Sequence, residues 1–125
     1  MSSPAQKRVL IIEDETAVSM LVADMLDELG YEVVVGGSDT KGASDAARTE
    51  QVDMAVLDLA IEDGSTFPVA AILHERGIPF IFMTGLNISK AREKFGGTRV
   101  LEKPFGAQAL QDALRSLETP QAPKR

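Results

Sequence analysis

The stretch Lys7–Thr16, KRVLIIEDET, decides the fold. Val9–Ile12 is apolar without alternation, and three acids, Glu13, Asp14 and Glu15, follow at once. A short continuous apolar run that ends in a charge cluster reads as a strand buried on both faces, the kind that lies inside a parallel sheet covered by helices. Carboxylates projecting together from the end of such a strand repel one another. Their cationic partner must come from elsewhere in the chain or from a bound cation.

Outward from this stretch, apolar runs alternate with helical patterns. Val18, Leu21, Val22, Met25, Leu26 and Leu29 recur at helical spacing, with Gly30 placed as a C-terminal cap. Tyr31–Val35 reads as a strand closed by Gly36-Gly37, and residues 40–49 as an alanine-rich helix. Met54–Leu59 is a second apolar run, broken only by Asp58, and Glu62-Asp63-Gly64 is a turn. Ser65 or Thr66 is placed to cap the next helix, with Pro68 in its first turn and Val69, Ile72 and Leu73 on its inner face. Ile78–Met83 is a further strand, residues 89–95 a polar helix, and Val100-Leu101 a last short strand. Leu110, Ala113, Leu114 and Leu117 outline a final amphipathic helix. Met20 and Met25 read as core filler.

Five strands alternating with five helices predict an α/β, flavodoxin-like doubly wound parallel sheet of order 2-1-3-4-5. The 125 residues fit one domain, 8–118, with flexible ends at 1–7 and 119–125. A hydrophobic content of 44% supports a real core. The net charge of −6 and the 5% aromatic content oppose a nucleic-acid surface. With no cysteine and one histidine, thiolate and multi-histidine metal sites are excluded. His74, beside Glu75 and Arg76, reads as an exposed helix-end residue. The absence of a membrane-length apolar run or signal segment gives the expectation of a soluble, cytoplasmic protein with no membrane contact.

Ligands of such sheets bind beyond the carboxyl ends of the strands. There the chain places Glu13-Asp14, Asp58, Thr84-Gly85 and Lys103-Pro104. Converging carboxylates of this kind suit a hard divalent cation, magnesium, manganese or calcium, rather than zinc. A carboxylate beside such a cation can attack phosphorus and form an acyl phosphate, with Lys103 and the Thr84 hydroxyl set to neutralise phosphoryl oxygens.

The ordered set Glu13-Asp14, Asp58, Thr84, Lys103-Pro104 resembles the receiver domain of two-component response regulators, over about Arg8 to Leu117. The resemblance implies that Asp58 accepts a phosphoryl group from a histidine kinase or histidine phosphotransfer protein. It implies magnesium held by Asp14, Asp58 and the Ala60 carbonyl, with Glu13 acting through water, and Thr84 and Lys103 on the phosphoryl oxygens. It implies a cis bond before Pro104. It further implies a stand-alone receiver, monomeric or weakly dimeric, that catalyses only its own phosphorylation and dephosphorylation and signals by binding a downstream protein. Three departures stand out. Val100 occupies the position usually held by an aromatic, Glu62 a position where proline is common, and Pro79–Asn87, PFIFMTGLN, is similar to the Phe-Ala-Thr-Gly signature of an alphaproteobacterial subgroup. The readout is accordingly expected in residues 84–95.

Other readings compete. A phosphate shuttle or sink would use the same chemistry without a dedicated target. A magnesium-dependent phosphatase of the haloacid dehalogenase type would need a second aspartate two residues after the nucleophile, where this chain has Ala60. A metal nuclease is opposed by the acidic charge, and an inert binding module by the intact set of site residues.

Overall fold

β1 (Arg8–Ile12) forms where the sequence is continuously apolar, and it is the second strand of the sheet. The computed structural model describes residues 6–37, 39–61, 64–85 and 99–118. After β1 come α1 (Thr16–Glu28), β2 (Glu32–Val35), α2 (Thr40–Thr49) and β3 (Met54–Asp58). A two-residue ribbon, β4 (Ala60–Ile61) and β5 (Gly64–Ser65), precedes α3 (Phe67–Glu75), β6 (Phe80–Thr84), β7 (Val100–Glu102) and α4 (Ala107–Glu118).

The main sheet has the order β2-β1-β3-β6-β7, and every pairing in it is parallel. Counted along the chain, these five strands lie in the expected 2-1-3-4-5 order. Among the described residues there are four helices. The fifth, expected over 89–95 and carrying Lys90, Arg92 and Lys94, lies outside them, as do most of the expected readout segment and residues 1–5 and 119–125 of the chain ends.

Side chains alternate across a strand, so each strand feeds two cores. Leu10, Ile12, Ala55, Leu57, Phe80 and Phe82 pack against Ala43, Ala47, Val69, Ala70 and Leu73 of α2 and α3. Val9, Ile11, Met54, Val56, Ile81, Met83 and Leu101 pack against Val22, Leu26, Leu110, Ala113 and Leu114 of α1 and α4. Val100 faces the first of these cores and pairs in register with Phe82, whose ring makes edge-on contacts with Phe80 and Phe67.

Several local expectations change. Met20 and Leu21 are exposed rather than core. At about 100° per residue, each sits roughly 130° around α1 from the face centred between Val22 and Ser19. The second strand starts at Glu32, because the Tyr31 N–H still closes the end of α1 on the Leu26 carbonyl at 3.0 Å; the Tyr31 side chain turns inward, and its hydroxyl donates to Glu118 Oε2 at the end of α4. The last strand runs on to Glu102 through its pairing with Thr84. The expected turn at 62–64 is flanked by the antiparallel β4–β5 ribbon, with residues 62 and 63 outside the described set. No helix among the described residues is long and apolar enough to cross a membrane.

Asp39 caps α2 by accepting the Gly42 N–H at 2.8 Å, and this first turn lies against Gly37. A Cβ on Gly37 would meet two backbone carbons of Gly42 at 2.6 Å, atoms that cannot rotate away. Gly37→Ala should therefore lower stability by about 1–3 kcal/mol. Gly106→Ala, whose Cβ enters open space, carries only the smaller cost of exchanging glycine for alanine at the residue before α4, below about 1 kcal/mol. Urea unfolding of the two variants checks this, and equal midpoints would contradict it.

Candidate functional site

The ends of β1 and β3 bring the acids together. The register Ile12↔Leu57 puts Glu13 beside Asp58, one residue beyond the last rung of the pair. The alternation that sends Ile11 and Val56 toward α1 and α4 sends Glu13 and Asp58 to the same side. Glu13 is 6% exposed and Asp58 8%. Asp14 is half-buried. One carboxylate oxygen from each of Glu13, Asp14 and Asp58 lies within 4.8 Å of the other two.

β7 supplies the counter-charge. Lys103 follows Glu102, and its N–H donates to the Thr84 carbonyl at 2.8 Å, which extends the β6–β7 ladder past its last paired residue. Its Nζ then reaches Glu13 Oε1 and Asp58 Oδ2, both at 2.9 Å. The bond to Pro104 is cis. Thr84, one residue beyond Met83, the register partner of Asp58, is 4% exposed. Ala60 opens β4 two residues after Asp58, and its backbone pairs with Ser65. The structure thus brings Glu13, Asp14, Asp58 and Lys103 into one cluster, with Thr84 joined to Lys103 through the backbone.

Burial sets the electrostatics. Desolvation pushes the Glu13 carboxyl up to about 7, the neighbouring Asp58 carboxylate pushes the same way, and the Lys103 ammonium and the Glu15 N–H oppose them. The Glu15 N–H donates to Glu13 Oε2 at 3.1 Å. Burial works against the Lys103 charge as well, yet its hydrogen bonds to Asp58 and Glu13 hold the ammonium pKa above the ordinary lysine value. With all three acids ionised, one ammonium leaves two negative charges in excess. Clustered hard oxygens with surplus negative charge fit a divalent cation of the magnesium type.

Thr66 has a place that the sequence did not disclose. It was a candidate helix cap, but its side chain makes no bond to the first turn of α3. Ser65 Oγ instead accepts the Phe67 N–H at 3.1 Å. The Thr66 hydroxyl donates to the Asp58 carbonyl at 2.6 Å. A hydroxyl after a glycine turn signals a cap, and nothing in the one-dimensional pattern aims it back at β3. His74 is exposed on α3, away from the cluster.

An acid that holds its proton more tightly in the folded chain stabilises the fold most at low pH. The Glu13 contribution is complete below its ordinary value of 4.5 and is lost as pH rises through about 7. Metal-free protein should therefore lose up to about 3 kcal/mol between those limits through this group. Glu13→Gln, which cannot ionise, should flatten that slope. Urea unfolding at about pH 5 and pH 8 in a chelator measures it, and an unchanged slope in the variant would contradict the assignment.

Residues 9–115 match the family of the response regulator receiver domain. The transcriptional regulatory protein PdtaR of Mycobacterium tuberculosis is 31% identical over 113 residues, which span 86% of this chain and 55% of that protein. This chain spans about half the length of the curated relatives it matches. Among solved structures, SdrG from Sphingomonas melonis Fr1 superimposes with a TM-score of 0.81 at 32% identity, covering 94% of this chain and 100% of that one. The receiver domain of the sensor histidine kinase PA1611 from Pseudomonas aeruginosa PAO1, crystallised with magnesium coordinated in its active-site cleft, shares the fold with a TM-score of 0.79. It is 24% identical, over 92% of this chain and 100% of that one. With the acid cluster, its lysine and the 2-1-3-4-5 sheet already in place, the match over residues 9–115 and the likeness to SdrG lead to one conclusion: this chain belongs to the response regulator receiver domain family.

Proposed function

We propose that this receiver domain is a magnesium-dependent phosphoacceptor, with Asp58 as the residue modified and a histidine kinase or histidine phosphotransfer protein as the donor. The observation that carries the reading is the buried Asp58 carboxylate at the end of β3, clustered with two further acids and held 2.9 Å from the Lys103 ammonium. An Asp58 carboxylate oxygen attacks phosphorus. The P–N bond to the donor imidazole breaks, its electron pair leaves with the imidazole, and an acyl phosphate remains on Asp58. Phosphoryl transfer of this kind depends on positioning and charge neutralisation more than on covalent chemistry by the protein.

Lys103 is the resident cation and would turn from the carboxylates to a phosphoryl oxygen as negative charge accumulates. Thr84, tied to Lys103 through the ladder bond, would donate its hydroxyl to another. Asp14, Asp58 and the Ala60 carbonyl would hold the magnesium ion, with Glu13 acting through water, and the ion supplies neutralisation of the incoming phosphoryl charge. The chain's own chemistry ends with its phosphorylation and dephosphorylation, and its output is protein binding in a cytoplasmic two-component pathway. Val100, packed on Phe82, has no ring to swing, so the readout falls to the segment after Thr84.

Incubation with magnesium and acetyl phosphate should add one phosphoryl group by intact mass. Asp58→Asn and the chelated protein should gain none, whereas a gain that survives Asp58→Asn would overturn the reading. Lys103→Met should slow the reaction on the order of 10²-fold, as for loss of one preorganised charge-stabilising group. Magnesium affinity, followed by amide shifts, should rise as pH passes through about 7, because the cation binds the ionised form of Glu13. Glu13→Gln should remove that inflection, and a pH-independent affinity in the parent chain would count against Glu13 as part of the cation site.

A further inference from the structure

Asp58 ends β3 beyond its last rung with β1, where Ile12 pairs with Leu57. The Leu59 N–H turns the other way and donates to the Met83 carbonyl of β6 at 2.9 Å. Backbone groups of adjacent strand residues point to opposite sides, so the Asp58 carbonyl faces the side where β1 has run out. Thr66 meets it there. This residue is 0% exposed, and its hydroxyl donates to the Asp58 carbonyl at 2.6 Å and lies 3.4 Å from the Leu59 carbonyl. Its own N–H donates to the Leu59 carbonyl at 3.1 Å. The peptide units on both sides of Leu59 are thus gripped by β6 on one side and by one threonine on the other. Between Leu59 and Thr66 runs the β4–β5 ribbon, which begins with Ala60 and pairs it with Ser65.

We propose that Thr66 is a positioning residue for the phosphoacceptor: its hydroxyl replaces the missing β1 rung, fixes the backbone of Asp58, and so orients the Asp58 carboxylate and the Ala60 carbonyl together. The inference rests on the functional reading above and assigns a residue outside the charged set that carries it. A hydroxyl donor in this place acts on the cation and phosphoryl site by holding its ligands, as groups that hydrogen-bond to metal ligands do elsewhere.

Two pairs of variants isolate the hydroxyl. Thr66→Val keeps the branched shape and loses the donor, and Thr66→Ser keeps the donor. Two readouts apply. The first is magnesium affinity from amide shifts. The second is the 13Cγ shift of Asp58 in metal-free protein, which reports carboxylate orientation toward Lys103. Loss of an outer hydrogen bond of this type weakens metal affinity by roughly 10- to 100-fold. Thr66→Val should bind magnesium at least about 10-fold more weakly and shift the Asp58 signal, while Thr66→Ser should match the parent in both. If Thr66→Val does not fold, Thr66→Ala against Thr66→Ser, which differ by the hydroxyl alone, makes the same comparison. An unchanged affinity and Asp58 signal in the donor-less variants, or an equal loss in Thr66→Ser, would overturn the proposal. If the parent chain bound no magnesium and gained no phosphoryl group, the functional reading would fall, while the metal-free Asp58 signal would still decide the role of Thr66.

Discussion

The Lys103 ammonium, 2.9 Å from both Glu13 and Asp58, is the contact on which the rest of the site depends. Buried like charges are tolerated only with a partner. Here the partner arrives from the far end of the sheet, ninety residues away from Glu13 in sequence. For it to arrive, β7 must pair with β6, β6 with β3, and β3 with β1, each in one register. A slip of one residue in any of these ladders would turn a site group to the opposite face. The two apolar layers prevent such a slip, because it would also exchange residues between the cores. Core packing and site chemistry are therefore one constraint seen from the two ends of the strands.

Much of this is legible in the amino-acid sequence. Continuous apolar runs identified the buried strands, and their alternation with helical periods led to the sheet order. The same parity rule that separates Ile12 from Ile11 places Glu13 with Asp58. What escaped the one-dimensional pattern depends on three-dimensional neighbours. Met20 and Leu21 look apolar and helical, but the face they occupy has no sheet beneath it. Tyr31 stays out of the strand that follows it because its N–H still closes the end of α1 on the Leu26 carbonyl, while its hydroxyl finds an acceptor distant in sequence, Glu118. Thr66 reads as a cap because local spacing sees α3 ahead of it and cannot see the end of β3 behind it, where β3 outruns β1. The ribbon at Ala60 is two residues per strand, too short for any periodicity to register.

Burial also explains why the cluster holds its charge unevenly. Desolvation raises Glu13 to about 7, so near neutral pH this acid is divided between its two forms while Lys103 remains charged. In a metal-free site the proton on Glu13 relieves part of the repulsion that one ammonium leaves uncompensated. A divalent cation would relieve it more fully and would displace that proton. The low polarity that makes the acids uncomfortable alone is what makes each added charge effective, since Coulomb interactions strengthen as the surroundings lose water. The same four groups therefore account both for the repulsion within the cluster and for its capacity to bind charge. That capacity is greatest where the backbone under Asp58 is fixed, because electrostatic gain at such short distances falls away as soon as the carboxylate is free to turn.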